Sequence, residues 1–325
     1  MYSSMDTRPQ PVFSPSQTKD FLRDPAMWYF RHVERWRPKT IGKKELAGML
    51  GSAIADGAAV FHNWMKATTD GTPVTDRDTA IKRAAATAVQ TVKDEKAQVL
   101  HLGQSVYGDQ SDAWELLEKR AAEGVFKHAL HFSTFFQPQD ILAVELTLPD
   151  HGYCRIDLTV NTVFGPMVVD LKTCLTLDVK YQALRLREYE EDLQFFHYAW
   201  AYQDYLTKRY LSSSAEAAHL GPGDAPQVRR FAILLLILEP RSRPPVLHPI
   251  AVNPETMRLF EHSVKVVWRI MYAFKHGESV TLGPDDIWST FNFYSKFGRE
   301  DWADAFTKYF LDPGLLSAAY VKETK

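Results

Sequence analysis

Cysteine is scarce in this chain of 325 residues. Its two thiols, Cys154 and Cys174, cannot assemble the four-thiolate set of a zinc site or an iron–sulfur cluster, and no such cluster is expected. Long apolar runs are missing too. The longest, residues 231–238, falls far short of the roughly 20 residues a membrane helix needs, so no membrane partner is expected. The polar residues 1–10 contain no apolar signal segment, and together these features imply a cytoplasmic protein with buried, reduced thiols. Neither sign of charge dominates: 38 Lys and Arg against 40 Asp and Glu leave a formal charge of −2. That balance excludes coating a polyanion by bulk charge and confines any such contact to a local basic groove. A glycine-rich nucleotide loop with its lysine is also absent, so no motor is built in. A hydrophobic content of 45% is enough for a substantial core.

Pattern along the chain predicts a mixed α/β fold. Ser14-Pro15-Ser16 opens a helix carrying Phe21, Leu22, Trp28 and Tyr29. Residues 46–64 form a second helix, rich in Ala and Gly, which implies close packing. After the loop signal at 68–73, residues 76–136 read as helical, with a break near Tyr107-Gly108-Asp109. Strands are expected at 141–148, 153–160 and 167–173, the last two joined as a hairpin through 161–166. One long helix, 182–208, then leads to a central strand at 229–238 and a neighbour at 246–252. The whole is read as one domain over 1–325. Its core is 13–64 and 139–252, with a helical insertion at 65–138 and a helical C-terminal lobe at 253–325.

The chemistry concentrates on three strands. In Met167-Val168-Val169-Asp170-Leu171-Lys172-Thr173, alternation places Asp170 and Lys172 on one face and Leu171 on the other. Asp157 lies in the preceding strand, across the hairpin, and Glu145 in the strand before that. Such an order suits a metal-dependent phosphodiesterase, because a hard cation neutralises phosphate charge and carboxylates hold the cation. Asp157, Asp170 and the carbonyl of Leu171 are the expected ligands of Mg2+ or Mn2+, with Glu145 joining directly or through water. Lys172 would orient or deprotonate the attacking water, or stabilise the pentacovalent phosphate; both roles stay open.

These residues resemble the PD-(D/E)XK nuclease superfamily, and within it the RecB-like exonuclease branch. The resemblance rests on the opening Ser14-Pro15-Ser16 helix with its aromatics, on Glu145, Asp157 and Asp170-Leu171-Lys172-Thr173, and on Gln194 and Tyr198. It covers about 13–64 and 139–205. It implies a restriction-endonuclease-like core, a mixed sheet flanked by helices. The implied activity is hydrolysis of DNA with ends, single- or double-stranded, in recombination, repair or phage DNA metabolism, in the host cytoplasm where a phage encodes it. It further implies that Gln194 and Tyr198, four apart on one helix face, support the site or touch nucleic acid. A helicase or annealing partner is left unidentified. An endonuclease of the same superfamily, or a catalytically weak DNA-binding or assembly subunit, is the alternative. The second is prompted by Ala55, which stands where relatives carry a metal-binding histidine; Asp56 is the nearest substitute and His62 lies two turns beyond.

Two aromatic-rich regions have rival readings. Residues 23–44 mix Arg23, Arg31, Arg35, Arg37, Lys39, Lys43 and Lys44 with Trp28, Tyr29, Phe30 and Trp36. Arg31, Arg35 and Arg37 are candidate nucleic-acid contacts, with the aromatics stacking on bases; the rival is a helix whose aromatics are core. The C-terminal aromatics from Trp288 to Phe310 read as a buried helical face. His101, His128, His131 and His197 lack metal-site spacing and read as surface or structural.

Overall fold

A computed structural model describes residues 12–72, 74–106, 112–176, 178–190, 192–213, 225–239, 243–278 and 320–322. The opening helix α1 (Pro15–Arg23) starts as its sequence implies: Ser14 Oγ accepts the N–H of Gln17 at 3.2 Å, and Pro15 takes the first helical position. A short helix α2 (Pro25–Trp28) continues into a π-helical turn, Tyr29–Val33. Strands β1 (Trp36–Pro38) and β2 (Thr40–Ile41) follow.

Helices α3 (Lys43–Thr69), α4 (Arg77–His101) and α5 (Ala113–Phe132) build one layer, with the two-residue strand β3 (Ser105–Val106) after α4 pairing in parallel with β2. Their small residues are what bring the axes together. A methyl group on Gly57 would lie 2.5 Å from Val125 and 2.7 Å from the carbonyl of Ala84, and one on Gly124 would meet Ile54 at 2.5 Å. Residues 65–138, read as an insertion, thus supply helices that share a core with α3 and the sheet through Ala84, Ala88, Ala121 and Val125.

The sheet has five strands in the order β4 (Ile141–Leu148), β5 (Cys154–Thr162), β6 (Gly165–Thr176), β7 (Arg230–Glu239) and β8 (Val246–Ala251). The first three form an antiparallel meander, β7 lies parallel to β6, and β8 is antiparallel to β7. A parallel neighbour requires a crossover, supplied by α6 (Val179–Glu190) and α7 (Leu193–Ser213). Every residue from Phe231 to Leu238 is buried, because β7 is covered on both faces. Ala232, Leu234, Leu236 and Leu238 join the α3–α5 core, while Phe231, Ile233, Leu235 and Ile237 join the α7 core.

The single helix expected over 182–208 is two. Asp192 accepts the N–H of Gln194 at 3.0 Å, so its carboxylate satisfies a backbone donor at the start of α7 that a continuous helix would have bonded to a carbonyl. Beyond the sheet, α8 (Pro254–His276) lays Phe260, Val264, Val267, Trp268 and Met271 against Phe21, Leu22, Trp28 and Trp200. For two of the four aromatics the core reading holds: Trp28 is 1% exposed and Phe30 is 7%, whereas Tyr29 and Trp36 are half-buried. A short strand β9 (Tyr320–Lys322) pairs with β1. The aromatics from Trp288 to Phe310 lie outside the described residues, as does the Tyr107–Asp109 break. Among the described residues, no helix is long and apolar enough to cross a membrane.

Candidate active site

The site is built where the β5–β6 hairpin opens. Pairing runs from Thr162 and Gly165 to Leu158 and Val169 and then ends, while β6 continues alone beside β7 as far as Thr176. The next residues, Asp157 and Asp170, are therefore released from the ladder but still adjacent. The N–H of Leu171, deprived of a β5 carbonyl, donates to Asp157 Oδ2 at 3.2 Å. Across β4 the same level is marked by Glu145, opposite Asp157 and in the left-handed region with φ of 52°. Hydrophobic residues change sides of the sheet at this level. Leu146 and Ile156 face α7, whereas Val144 and Leu158 face α3.

Alternation along β6 sends Val168 into the α7 core and Asp170 and Lys172 toward the same layer. Lys172 Nζ lies 2.9 Å from Asp170 Oδ2 and 3.3 Å from Gln194 Oε1, and Gln194 donates through Nε2 to the hydroxyl of Tyr198. The structure thus brings Asp157, Asp170, Leu171, Lys172, Gln194 and Tyr198 into one constellation. Asp170 is 1% exposed. Burial raises its pKa above the ordinary carboxylate range, against the opposing charge of Lys172. Burial, then the negative charge of Asp170, raises Asp157 as well. Burial works against the Lys172 ammonium, but Asp170, Asp157 and Asp192 outweigh it and hold its pKa above the usual value. The net result is two reluctant carboxylates sharing one firmly charged lysine.

Glu145 is positioned differently. Arg155 Nε donates to its Oε2 at 2.6 Å, and burial raises its pKa against that pairing. The same guanidinium reaches Asp56 Oδ1 at 3.5 Å, and Asp56 Oδ2 accepts from Thr91 at 3.0 Å. So Asp56 of α3, one residue past Ala55, meets an arginine. His62 is in a buried pair, 2.8 Å from His128 Nε2, packed on Phe132. His197 is also buried, with Nε2 on the carbonyl of His151 at 3.1 Å. These are structural histidines.

Among the described residues, no three His, Cys, Asp or Glu side chains converge as a ligand cluster. What the site offers a cation is a carboxylate pair beside the Leu171 carbonyl. Two oxygens there are under-used: Asp170 Oδ2 has its ion-pair contact with Lys172 but no aligned hydrogen bond, and Glu145 Oε1 is buried without a hydrogen-bond partner. Buried oxygens of this kind fit a hard cation that keeps several waters.

The candidate arginines lie on the turn around the π-helix and β1. Arg31 Nη1 is 3.2 Å from Asp20 Oδ2, which also holds His32 Nε2 at 2.8 Å; Arg37 donates to the carbonyl of Arg31 at 3.0 Å; Arg35 adopts φ of 59°. Sequence reading overlooked Arg155, Asp192 and Lys19, which pairs with Asp192. Their signals were slight: an arginine two residues before Asp157, and an acid two residues before Gln194.

Neither a curated protein nor a solved structure gives a match to the chain. A family model does, that of the PD-(D/E)XK nuclease superfamily, over a span of residues 12–277 that reaches past the end of α8. With that match and the acid pair at the opened hairpin, the chain belongs to the PD-(D/E)XK nuclease superfamily, whose members are metal-dependent nucleases.

Proposed function

We propose that this protein hydrolyses DNA phosphodiester bonds with Mg2+ or Mn2+, attacking from an end as RecB-like exonucleases do, in recombination, repair or phage DNA metabolism. The observation that carries the reading is the convergence of Asp157, Asp170 and Lys172 where β5 and β6 separate. Asp157, Asp170 and the Leu171 carbonyl would hold the cation. Glu145 would act from the rim, through water, since its Oε2 is engaged by Arg155. A divalent ion, when bound, supplies charge neutralisation at the phosphoryl oxygens.

The chain's own residues do the rest. Lys172, kept charged by its acidic neighbours, aims an ammonium at the reacting phosphate. Gln194 takes one of that ammonium's contacts and is itself fixed by Tyr198, so the lysine is held by α7 as well as by β6. The opened hairpin releases both aspartates from the ladder; Asp170 is buried, so the half-buried Asp157 and Lys172 are the groups a substrate phosphate would meet first.

The test is degradation of end-labelled linear DNA and closed circular DNA with Mg2+ or Mn2+, comparing wild type with Asp170→Ala and Lys172→Ala. Loss of linear DNA alone, abolished by both substitutions, supports an end-dependent nuclease. Cleavage of circles converts the reading to an endonuclease. Binding without cleavage by wild type would leave a DNA-binding or assembly subunit, the reading that Ala55 favours.

A further inference from the structure

Two half-exposed cations flank the acid pair, one from the opening helix and one from the sheet. Lys19 projects from α1 to Asp192 at the start of α7, and Asp192 adjoins the Gln194 that holds Lys172. Arg155 projects from β5 to Glu145 and, on the α3 side, to Asp56. Their side chains are 51% and 55% exposed, whereas their partners Asp192 and Glu145 are only 12% and 24% exposed. Both cations therefore stand toward solvent above carboxylates that are set deeper.

Their platforms are firm. Thr18, Phe21 and Leu22 of α1 are buried, and Trp268 Nε1 donates to Thr18 Oγ1 at 2.9 Å, which fixes the helix beneath Lys19. Arg155 sits on a strand whose neighbours Cys154 and Ile156 are fully buried. The candidates Arg31 and Arg37 are bonded to Asp20 and a local carbonyl; what sets Lys19 and Arg155 apart is that their carboxylate partners adjoin the acid pair, Asp192 through Gln194 and Lys172, and Glu145 opposite Asp157.

We propose that Lys19 and Arg155 are phosphate-binding residues that bracket the catalytic acids and hold the polynucleotide backbone on either side of the scissile phosphate. The inference rests on the nuclease reading. In the free protein each cation is parked on a carboxylate; a backbone phosphate offers each an alternative anion without moving the chain. Arg155 can meet a phosphate with two parallel donors, and Lys19 as a point charge. Contacts of this sort position the strand without reading sequence.

The experiment is equilibrium binding of a fluorescent linear duplex in Ca2+ over a range of KCl, with Mg2+ cleavage kinetics alongside. Lys19→Ala and Arg155→Ala should each weaken binding about tenfold and lower the slope of log K against log salt by about 1, and the double variant by about 2. In cleavage, KM should rise more than kcat falls. Lys19→Arg and Arg155→Lys should keep the slope. Arg155→Gln, which retains a donor for Glu145, guards against misfolding of the alanine variant. Lys208→Ala, which removes an equally exposed cation paired with Asp204 and Asp150, should leave binding and slope unchanged. Unaltered slopes in the single and double variants, with wild type binding and cleaving normally, would make these cations internal counter-ions and overturn the proposal. A wild type that neither binds nor cleaves would overturn the nuclease reading beneath it.

Discussion

Asp157 accepts the backbone N–H of Leu171 at 3.2 Å, a side chain standing in for the strand carbonyl that the opened hairpin has withdrawn. The geometry of the acid pair and that of the sheet are therefore the same event. The ladder stops so that a carboxylate can take its place, and that carboxylate then meets Asp170.

The first prediction follows from two buried acids held above their ordinary pKa. A carboxylate whose folded pKa is raised binds more protons when folded, so it favours folding at low pH and opposes it once ionised. The metal-free protein should thus lose stability from this pair as pH rises above about 4, the ordinary carboxylate pKa, and through the raised values. Asp157→Asn should flatten that loss. Mn2+ should reverse it, adding about 2.7 kcal/mol at a hundredfold excess over its Kd. Thermal unfolding against pH, with and without Mn2+, checks both; a metal shift that persists in the Asp157→Ala, Asp170→Ala double variant would place the cation elsewhere.

Lys172 gives the second. Replacement by Met keeps the stem but strips the buried Asp170 carboxylate of its counter-ion, costing roughly 3 kcal/mol in the metal-free state. A bound cation should restore much of that, since it supplies positive charge to the same oxygens. Activity should fall by about two orders of magnitude or more, the scale of a lost electrostatic contact in a transition state. The decisive comparison is Mn2+ affinity by calorimetry beside turnover: turnover should collapse while metal affinity tightens, because the cation stabilises the variant more than it stabilises wild type.

Gln194 gives the third. Gln194→Ala removes one contact of Lys172 and leaves Tyr198 without its donor. Turnover should fall about tenfold, less than for Lys172→Met, because the ammonium stays in place but less well aimed. Gln194→Glu would add a fourth negative charge around the lysine and should raise its pKa further, so activity should not recover. Single-turnover rates against pH distinguish the two.

Much of this arrangement was legible in the sequence, and the reason is local periodicity. The two-residue spacing of Asp170 and Lys172 fixes a shared face on any strand, and the short apolar run at 231–238 suits a strand covered on both sides. The four-residue spacing of Gln194 and Tyr198 likewise fixes one helix face. What periodicity could not reach is what depends on a broken rule. The helix over 182–208 divides because Asp192 bonds a backbone N–H, a choice invisible in a hydrophobic pattern. Glu145 turns to Arg155 at a residue with positive φ, where strand alternation fails. The Asp56–Arg155 contact joins residues far apart in sequence, and no local spacing announces it.

The last prediction concerns the buried histidines. Burial drives His128 and His197 down to about 3 and His62 well below its ordinary value, with the nearby His128 adding to the effect on His62. Each is neutral when folded and takes up a proton on unfolding once pH falls below about 6.5. The sign is opposite to that of the acid pair: these histidines cost stability as pH drops, while the acids gain it. His128→Gln, which keeps a polar partner for His62, should remove part of the acid-side loss between about pH 6.5 and 4 and leave Mn2+ affinity and nuclease turnover unchanged. Urea unfolding at several pH values measures the first effect and calorimetry the second. A His128→Gln protein with normal stability but impaired metal binding would show that the pair communicates with the acids at the opened hairpin, contrary to a purely structural role.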